Sequence, residues 1–285
     1  MLNCLKVLPQ YVLPKQLLTS LAGRFASQAR GNTTTSVIGW FVKKYRVNMA
    51  EALNPDISSY TTFNDFFTRA LKPGARPLAA AELICPVDGA ISQFGDIKQD
   101  QIFQAKGHSY STTALVGGDS TLAAQFQNGS FATLYLSPKD YHRIHMPCDG
   151  TLTRMIYVPG DLFSVNPTTA RGVPGLFARN ERVVCVFDTA QGPLALVLVG
   201  ATIVGSMATV WHGQINPPRS ADVREWRYDD ELISLKQGDE MGRFMLGSTV
   251  VMLFPENISK TLVFNPAWAA GGAVQLGQAM CQART

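Results

Sequence analysis

One stretch decides the fold of this chain: Gly242-Arg243-Phe244-Met245-Leu246-Gly247-Ser248-Thr249-Val250-Val251-Met252-Leu253-Phe254-Pro255. Its second half, from Thr249 to Phe254, consists of β-branched and apolar residues, which predicts a buried strand. Directly before that run a small nucleophile, Ser248, follows a glycine, Gly247. We therefore expect a buried strand with a Gly-Ser pair at its entrance.

The Gly247-Ser248 pair permits an unusual backbone reaction. Glycine presents no side chain to block attack of the serine hydroxyl on the Gly247 carbonyl, and it tolerates backbone strain. Attack would replace the peptide nitrogen by the serine oxygen, and β-elimination of the ester would free the upstream piece and leave dehydroalanine. Hydrolysis with loss of ammonia would then give a pyruvoyl group, an electron sink made from the chain itself. Most Gly-Ser pairs are turns, so other features of the chain are needed to distinguish a turn from a self-cleavage site.

Composition and charge are those of a globular protein with a distinctive N-terminus. The chain has 285 residues, of which 46% are hydrophobic. Its five cysteines are an odd number without paired spacing, which indicates neither a disulfide framework nor a zinc site and favours a reducing compartment. The net charge of +4 is uneven, because seven cations and no acid precede Glu51. The chain therefore begins with a basic, apolar arm.

Apolar residues recur in this arm at helical spacing. The two sets are Leu17, Leu21 and Phe25, followed by Val37, Phe41 and Tyr45. They predict two short amphipathic helices separated by the polar residues 31–35. Such helices can lie in a membrane interface with their cations toward anionic head groups. Packing of the helices on the domain behind them, and a cleaved transit peptide, are the alternatives.

The residue pattern of the sequence changes after a linker at residues 73–81, which contains proline and alanine. From Ile84 onward, short apolar runs punctuated by Gly, Pro, Asp and Asn indicate a β-rich fold. We predict an α+β protein with a helical segment at 1–72 and a β-rich domain at 82–285. The uncharged run Thr189–Trp211 is long enough to span a bilayer, but its glycines and β-branched residues favour a pair of buried strands.

A predicted strand from Phe131 to Ser137 leads into a segment that holds two histidines, His142 and His145. A metal site is one interpretation of this pair. However, no carboxylate or cysteine completes a zinc spacing, and strand alternation would not aim residues i and i+3 at one face. Histidine is also the natural general base for a serine hydroxyl. Asp88, which precedes Gly89, is typical of a hairpin turn.

Four motifs occur in order along the chain: Pro86-Val87-Asp88-Gly89, Tyr141-His142-Arg143-Ile144-His145-Met146-Pro147, Gly160-Asp161-Leu162-Phe163-Ser164-Val165-Asn166, and Leu246-Gly247-Ser248-Thr249 within Met241–Thr249. Together they resemble those of the pyruvoyl-dependent phosphatidylserine decarboxylases in their bacterial membrane-associated form. The resemblance covers nearly the whole chain. It is loose at residues 267–273, and Val87 replaces a smaller residue of the family's turn.

The resemblance implies cleavage between Gly247 and Ser248. A larger chain, residues 1–247, and a smaller chain, residues 248–285, would stay associated, and Ser248 would become the covalent pyruvoyl cofactor. The smaller chain would complete a β-rich decarboxylase domain. The resemblance further implies that Asp88 orients His145 and that His145 takes the proton of Ser248.

The same resemblance implies the reaction. The amine of phosphatidylserine would form a Schiff base with the pyruvoyl group, carbon dioxide would leave, and phosphatidylethanolamine would be released, with no external cofactor and no metal. His142 is a candidate for protonating the carbanion or holding the substrate carboxylate, with simple packing beside His145 as the alternative.

The basic arm fits a lipid substrate, since it would hold the protein peripherally on the anionic cytoplasmic face of the bacterial membrane. The oligomeric state is open, with a homodimer as one candidate, and no nucleic-acid partner is expected. Three other functions remain open at this point: a pyruvoyl decarboxylase of a soluble amino acid, a serine hydrolase using Ser248, His145 and Asp88, and a noncatalytic membrane-bound β-domain.

Overall fold

The computed structural model describes residues 7–105, 107–203, 206–245 and 248–284. It is a mixed helix and strand structure with a strand-rich body, as the sequence predicts. Within these ranges, no helix is both long enough and apolar enough to cross a bilayer. The division into segments 1–72 and 82–285 stays a prediction.

The helices are short and are concentrated near the N-terminus. They are α1 (Pro9–Val12), α2 (Lys15–Ser27), α3 (Asn32–Tyr45), α4 (Phe63–Phe67), α5 (Thr112–Leu115), α6 (Ser120–Ala124), α7 (Pro167–Gly172), α8 (Leu176–Arg179) and α9 (Glu256–Thr261). Two 3₁₀ turns, Met49–Glu51 and Ile57–Ser59, connect α3 to α4.

The strands begin after the linker. They are β1 (Leu83–Ile84), β2 (Gly89–Asp96), β3 (Gln101–Ala105), β4 (His108–Ser111), β5 (Ser130–Leu136), β6 (Arg143–His145), β7 (Gly150–Val158), β8 (Arg182–Thr189), β9 (Gly192–Val199), β10 (Met207–Thr209), β11 (Gly213–Gln214), β12 (Arg224–Arg227), β13 (Ser234–Leu235), β14 (Glu240–Phe244), β15 (Ser248–Phe254), β16 (Leu262–Phe264), β17 (Ala273–Val274) and β18 (Ala279–Ala283). The strands predicted around Phe131–Ser137 and within Thr189–Trp211 are confirmed by β5, β9 and β10.

One large antiparallel sheet forms the body, with strand order β12-β7-β8-β9-β15-β5-β2-β17 and with β13 added to β7. A second sheet, in the order β11-β10-β14-β6, packs over one of its faces, and β1, β18 and β16 form a third sheet. Strands β3 and β4 form a separate hairpin. The architecture is thus layered around the large sheet, whose centre is β15.

Strand β15 is buried on both faces, which explains its continuous apolar sequence. Val250 and Met252 face a core shared with the second sheet, whereas Val251 and Leu253 face a core on the other side of the large sheet. This alternation follows from the two-residue period of a strand. The prediction of a buried strand after Gly247 is therefore confirmed, with Ser248 as its first residue.

The two N-terminal helices have different surroundings. In α3, Ile38 and Phe41 are buried against an aromatic cluster that includes Phe66 and Phe67. The apolar face expected to meet a membrane is, in this helix, largely covered by the protein itself. Packing on neighbouring residues, one of the alternatives for the arm, therefore describes α3.

Helix α2 keeps much of its apolar surface uncovered. Leu17 and Leu21 are 59% and 55% exposed. Helix α1 and the residues after it add further exposed apolar side chains, among them Val12. Because exposed apolar surface of this kind is unfavourable in water, this part of the arm has a surface suited to an apolar environment.

Strand β2 approaches β5 so closely that its first residue has to be glycine. A Cβ atom on Gly89 would lie 2.3 Å from the backbone oxygen of Tyr135, which is far inside van der Waals contact. The register of the sheet pairs Ala90 with Tyr135, and Tyr135 with Thr249 of β15. Glycine at position 89 therefore allows β2 to start directly beside β5, the strand that pairs with β15 on its other edge.

We predict that Gly89→Ala destabilises the protein by about 1–3 kcal/mol, because backbone has to move to admit the methyl group. Gly23→Ala in α2 is the matched control, since a Cβ there would meet nothing within 4 Å. It should stabilise the protein by about 0.5–1 kcal/mol through helix propensity. Urea unfolding monitored by circular dichroism measures both. Equal stability of the two variants would contradict the close approach of β2 and β5.

Candidate active site

Three strand ends meet at one edge of the large sheet. Strand β15 begins at Ser248, which pairs with Leu136 at the end of β5. On the other side of β5, strand β2 begins at Gly89, immediately after Asp88. Because neighbouring strands lie roughly 4.8 Å apart, the entrances of β2 and β15 are roughly 10 Å from each other. The antiparallel register thus brings Asp88 and Ser248 to the same edge.

The second sheet brings the histidine segment to this edge. Strand β6, which ends at His145, pairs with β14, the strand that leads toward Gly247. The backbone N–H of His145 donates to the Pro86 carbonyl at 2.9 Å, and the N–H of Phe244 donates to the His142 carbonyl at 3.0 Å. Three of the four sequence motifs are therefore joined by backbone hydrogen bonds or strand pairing. Gly247 itself lies outside the described residues.

Ser248 is fully buried, and its hydroxyl has no hydrogen-bond partner among the described residues. By alternation along β15, its side chain lies on the same face as Val250, toward the core that also holds Ile144 and Phe244. An unpaired buried hydroxyl costs free energy. The Thr249 hydroxyl beside it is unpaired in the same way, so the start of β15 holds two hydroxyls without a partner in the described part of the chain.

His145 is held as a neutral imidazole. Its Nδ1 lies 2.7 Å from the Gly238 carbonyl, which can only accept, so Nδ1 carries the proton and Nε2 is the acceptor. The Tyr141 hydroxyl donates to Nε2 at 3.1 Å. Burial lowers the pKa of His145 and raises the pKa of Tyr141 to about 12. The ring is thus a neutral base whose Nε2 lone pair accepts a hydrogen bond from the Tyr141 hydroxyl.

The Asp88 carboxylate is bound by groups other than His145. Nε and Nη2 of Arg76 donate to it at 2.9 and 2.6 Å, and the backbone N–H of Leu276 donates at 2.9 Å. Arg76 also binds Glu51 at 2.7 Å. Asp88 makes no direct hydrogen bond to His145, whose Nδ1 and Nε2 are bound by the Gly238 carbonyl and the Tyr141 hydroxyl. The roles expected for Asp88 and His145 stay predictions.

Two residues of this network were missed by the sequence reasoning. Arg76 lies in the linker, where it is the one charged residue between positions 73 and 81, and a lone cation in a Pro- and Ala-rich stretch was the available signal. Its hydrogen bonds with Asp88 raise the pKa of Arg76 above its usual range. Leu276 contributes only its backbone, so no side-chain pattern could have identified it.

His142 is also buried and neutral. Its Nδ1 donates to the Asp140 carbonyl at 2.8 Å, and its ring centroid lies 4.1 Å from that of Phe67. Burial lowers the pKa of His142 to about 3. In this tautomer Nε2 is a lone pair, for which the described part of the chain supplies no partner. His142 can accept a hydrogen bond here, and its expected role as proton donor stays a prediction.

A cavity of about 830 Å³ opens beside this edge of the sheet. Its inner wall includes Asp88, Tyr135 and Tyr141, and exposed cations such as Lys139 and Arg171 lie at its rim. Ser137, which directly follows the strand partner of Ser248, also lines it. The lining includes neither Ser248 nor His145. In the described ranges, no group of three or more His, Cys, Asp or Glu residues is placed to hold a metal ion.

Comparison with known proteins gives one consistent result. A family model described as phosphatidylserine decarboxylase matches residues 63–282, and one described as PSD matches residues 5–46. The chain is 72% identical over 282 residues to the phosphatidylserine decarboxylase proenzyme of Albidiferax ferrireducens, which covers 99% of this chain and 98% of that protein. The proenzyme of the same name from Dechloromonas aromatica is 72% identical, with 97% of each chain covered. That of Polaromonas naphthalenivorans is 74% identical, with 97% and 96% covered.

Removing the guanidinium of Arg76 should destabilise the fold, because it leaves the buried Asp88 carboxylate without its counter-charge. We predict a loss of about 3 kcal/mol for Arg76→Met. The control is Glu51→Gln, which removes only the more exposed partner of Arg76 and should cost less than about 1 kcal/mol. Urea unfolding at neutral pH separates the two variants. An Arg76→Met protein as stable as Glu51→Gln would show that the Asp88 pair contributes little.

Proposed function

Because this chain belongs to the phosphatidylserine decarboxylase family, we propose that it is a self-cleaving carboxy-lyase that converts phosphatidylserine to phosphatidylethanolamine and carbon dioxide. The observation that carries this proposal is the buried Ser248 hydroxyl, which starts the central strand and has no partner among the described residues. The relatives are named proenzymes, which agrees with a chain that has to be processed before it acts.

Self-cleavage would start from Ser248 Oγ. The oxygen attacks the carbonyl carbon of residue 247, its proton passes to a base, and the C–N bond breaks as the amine of residue 248 takes up a proton. Elimination from the resulting ester then releases the carboxylate of residue 247 and leaves dehydroalanine at position 248. Loss of ammonia with uptake of water gives the ketone of a pyruvoyl group.

His145 is the base that we assign to this step. Its Nδ1–H is held by the Gly238 carbonyl, so only Nε2 is available to accept a proton. Tyr141 occupies Nε2 in this structure, and proton transfer from Ser248 would either displace the phenol or pass through it. A positioned base typically contributes a factor of about 10² to 10⁴ in rate. Asp88 acts at a distance in this scheme, as a fixed negative charge at the same sheet edge.

The residues at the start of β15 are suited to a pyruvoyl group. Ser248 supplies its atoms, and the burial of the position protects a reactive carbonyl from water. Such a group would supply an electrophilic carbonyl for the substrate amine and an electron sink for decarboxylation. We assign the remaining tasks, holding the head group and moving a proton, to the neutral side chains of His142 and Tyr141.

The two pieces expected from cleavage would remain one folded body. Residues from 248 onward supply β15, which lies between β5 and β9, as well as β17 and β18, which pair with β2 and β1. The N–H of Leu276 also binds Asp88 of the larger piece. Because the smaller piece contributes the most buried strand of the sheet, separating the pieces would require unfolding.

The N-terminal arm supports a lipid substrate. The exposed Leu17 and Leu21 of α2, together with the basic residues of the arm, suit a helix lying on an anionic bilayer. We place the protein peripherally on the cytoplasmic face of the bacterial membrane, with the cavity open to a serine head group. A serine hydrolase is disfavoured as the alternative, because the relatives that match nearly the whole chain are named phosphatidylserine decarboxylase proenzymes.

The first test is the chain length of the purified protein. We expect intact-mass spectrometry to find two chains, ending at Gly247 and starting at position 248, the smaller with a blocked N-terminus. Ser248→Ala should give one full-length chain, because no hydroxyl remains to attack. Ser130→Ala is the control, since Ser130 pairs with Phe254 at the far end of the same strand pair and should not affect cleavage. A single unbroken, active wild-type chain would refute the proposal.

The second test is the pH dependence of self-cleavage. Burial lowers the pKa of His145 below its ordinary value of 6.5, so the neutral base is already dominant at and above pH 6.5. We expect the rate to be flat from there upward and to decrease as the pH falls through that lowered pKa. Freshly synthesised precursor, shifted to buffers of different pH and followed by gel electrophoresis, provides the rate. His145→Gln should be slower by about 10² to 10⁴ on the flat part of the profile and should lack the acid decline. A wild-type rate that rises on acidification would exclude a histidine base.

A further inference from the structure

Arg69 lies in the wall of the cavity without the partners that a buried arginine needs. The residue is only 5% exposed. Its Nη2 donates a 3.3 Å hydrogen bond to the Lys139 carbonyl, but Nε and Nη1 have no acceptor in the part of the chain that the structure describes. Each unsatisfied buried donor costs about 1–3 kcal/mol, and more when it is charged. Burial of Arg69 therefore destabilises the folded protein unless another group binds its donors.

A second buried arginine shows what a structural role looks like in the same protein. Arg182 is 3% exposed, and its Nε, Nη1 and Nη2 donate to the carbonyls of Leu115, Asn180 and Ala114 at 2.6, 2.8 and 2.5 Å. Arg69 is buried to the same degree but has one such bond. The two arginines therefore differ in their acceptors: carbonyl oxygens of described residues bind all three nitrogens of Arg182 but only Nη2 of Arg69.

The position of Arg69 is that of a ligand-binding group. It lines the same cavity as Asp88 and Tyr141. The ring of Phe66 lies 5.4 Å from its guanidinium carbon and supports the planar group from one side. Arg76, the other buried guanidinium of the cavity, is already bound to Asp88 and Glu51. Arg69 therefore keeps two unpaired donors in the wall of the cavity. They are covered in this structure, and an anion in the cavity would reach them when the side chain turns toward it.

We propose that Arg69 binds the phosphodiester of the lipid head group and so makes the enzyme selective for a phosphorylated serine over serine itself. The unpaired Nε–H and Nη1–H of the guanidinium can each donate a charge-assisted hydrogen bond to a phosphate oxygen. The exposed cations at the rim, Lys139 and Arg171, would draw the same anion toward the cavity. This inference rests on the proposed function, since it names a contact of the same substrate.

The substrate carboxylate is a poorer match for Arg69 than the phosphate. Decarboxylation removes the negative charge of the carboxylate, so a cation bound there would stabilise the substrate more than the transition state and would slow the reaction. The phosphodiester keeps its charge throughout. A guanidinium on the phosphate can therefore contribute binding without opposing the loss of carbon dioxide.

Binding is tested first in the uncut protein, where no pyruvoyl group is required. Glycerophosphoserine, inorganic phosphate and O-methylserine, which lacks phosphate, are titrated by calorimetry into the full-length Ser248→Ala protein. We expect glycerophosphoserine to bind, and Ser248→Ala combined with Arg69→Met to bind it about ten- to a hundredfold more weakly, the effect of one or two charged hydrogen bonds. Arg227→Met, which removes an exposed arginine on β12, is the matched control and should not alter binding.

Kinetics of the processed protein give the second readout. Arg69→Met should raise KM for phosphatidylserine in detergent micelles by about ten- to a hundredfold with little change in kcat, and should leave turnover of O-methylserine unchanged. Arg69→Lys, which keeps the charge but not the guanidinium donors, should have a KM between those of the wild-type protein and Arg69→Met. If Arg69→Met fails to fold or to cleave itself, the KM of Arg69→Lys for phosphatidylserine, compared with its turnover of O-methylserine, is the test.

Several results would overturn the assignment. Equal glycerophosphoserine binding with and without the Arg69 side chain would show that Arg69 does not touch the head group. An equal loss for O-methylserine would indicate the carboxylate or a structural role instead. Binding of inorganic phosphate but not of glycerophosphoserine would identify a free-phosphate site. Because the calorimetry does not depend on self-cleavage, its outcome stands even if the proposed pyruvoyl chemistry is wrong.

Discussion

Strand β15 has hydrogen-bonded neighbours on both edges, β9 and β5, and apolar cores on both faces. A strand in this position has almost no freedom, because a shift by one residue would turn every side chain to the opposite core. Ser248 is its first residue, so the position of the hydroxyl is set by the register of the whole sheet. The core that stabilises β15 therefore also fixes the position of the Ser248 hydroxyl, the nucleophile of the proposed cleavage.

One carboxylate connects parts of the chain that are far apart in sequence. Asp88 binds Arg76 of the linker and the amide of Leu276 near the C-terminus, and Arg76 extends the contact to Glu51 beyond the helical arm. Buried charges are stable only when paired in this way. The arm, the entrance of β2 and the C-terminal segment are thus held in a fixed relation around the cavity. The Asp-Gly pair is thus part of a buried charge network and not a simple hairpin turn.

The arm illustrates how one sequence pattern can have two outcomes. Helices α2 and α3 both repeat apolar residues every four positions, and both were expected to face a membrane. In α3 that face is covered, because Phe41 meets the aromatic residues of α4, including Phe63 at 5.1 Å between ring centroids. In α2, Leu17 and Leu21 have no such cover. The spacing of apolar residues predicts which side of a helix is buried, but not whether lipid or protein buries it.

By itself, the sequence determined the local elements and the chemistry available to them. The apolar run after Gly247 defined a buried strand, the punctuated runs after Ile84 defined a β-rich body, and the four motifs identified the family. Only the tertiary structure decided which groups meet. The partners of Asp88 and His145 are Arg76, the Leu276 amide, the Gly238 carbonyl and Tyr141, most of them distant in sequence and two of them backbone groups. Backbone donors and acceptors are the same at every residue, so their place in a site follows from strand register and packing, which no local pattern encodes.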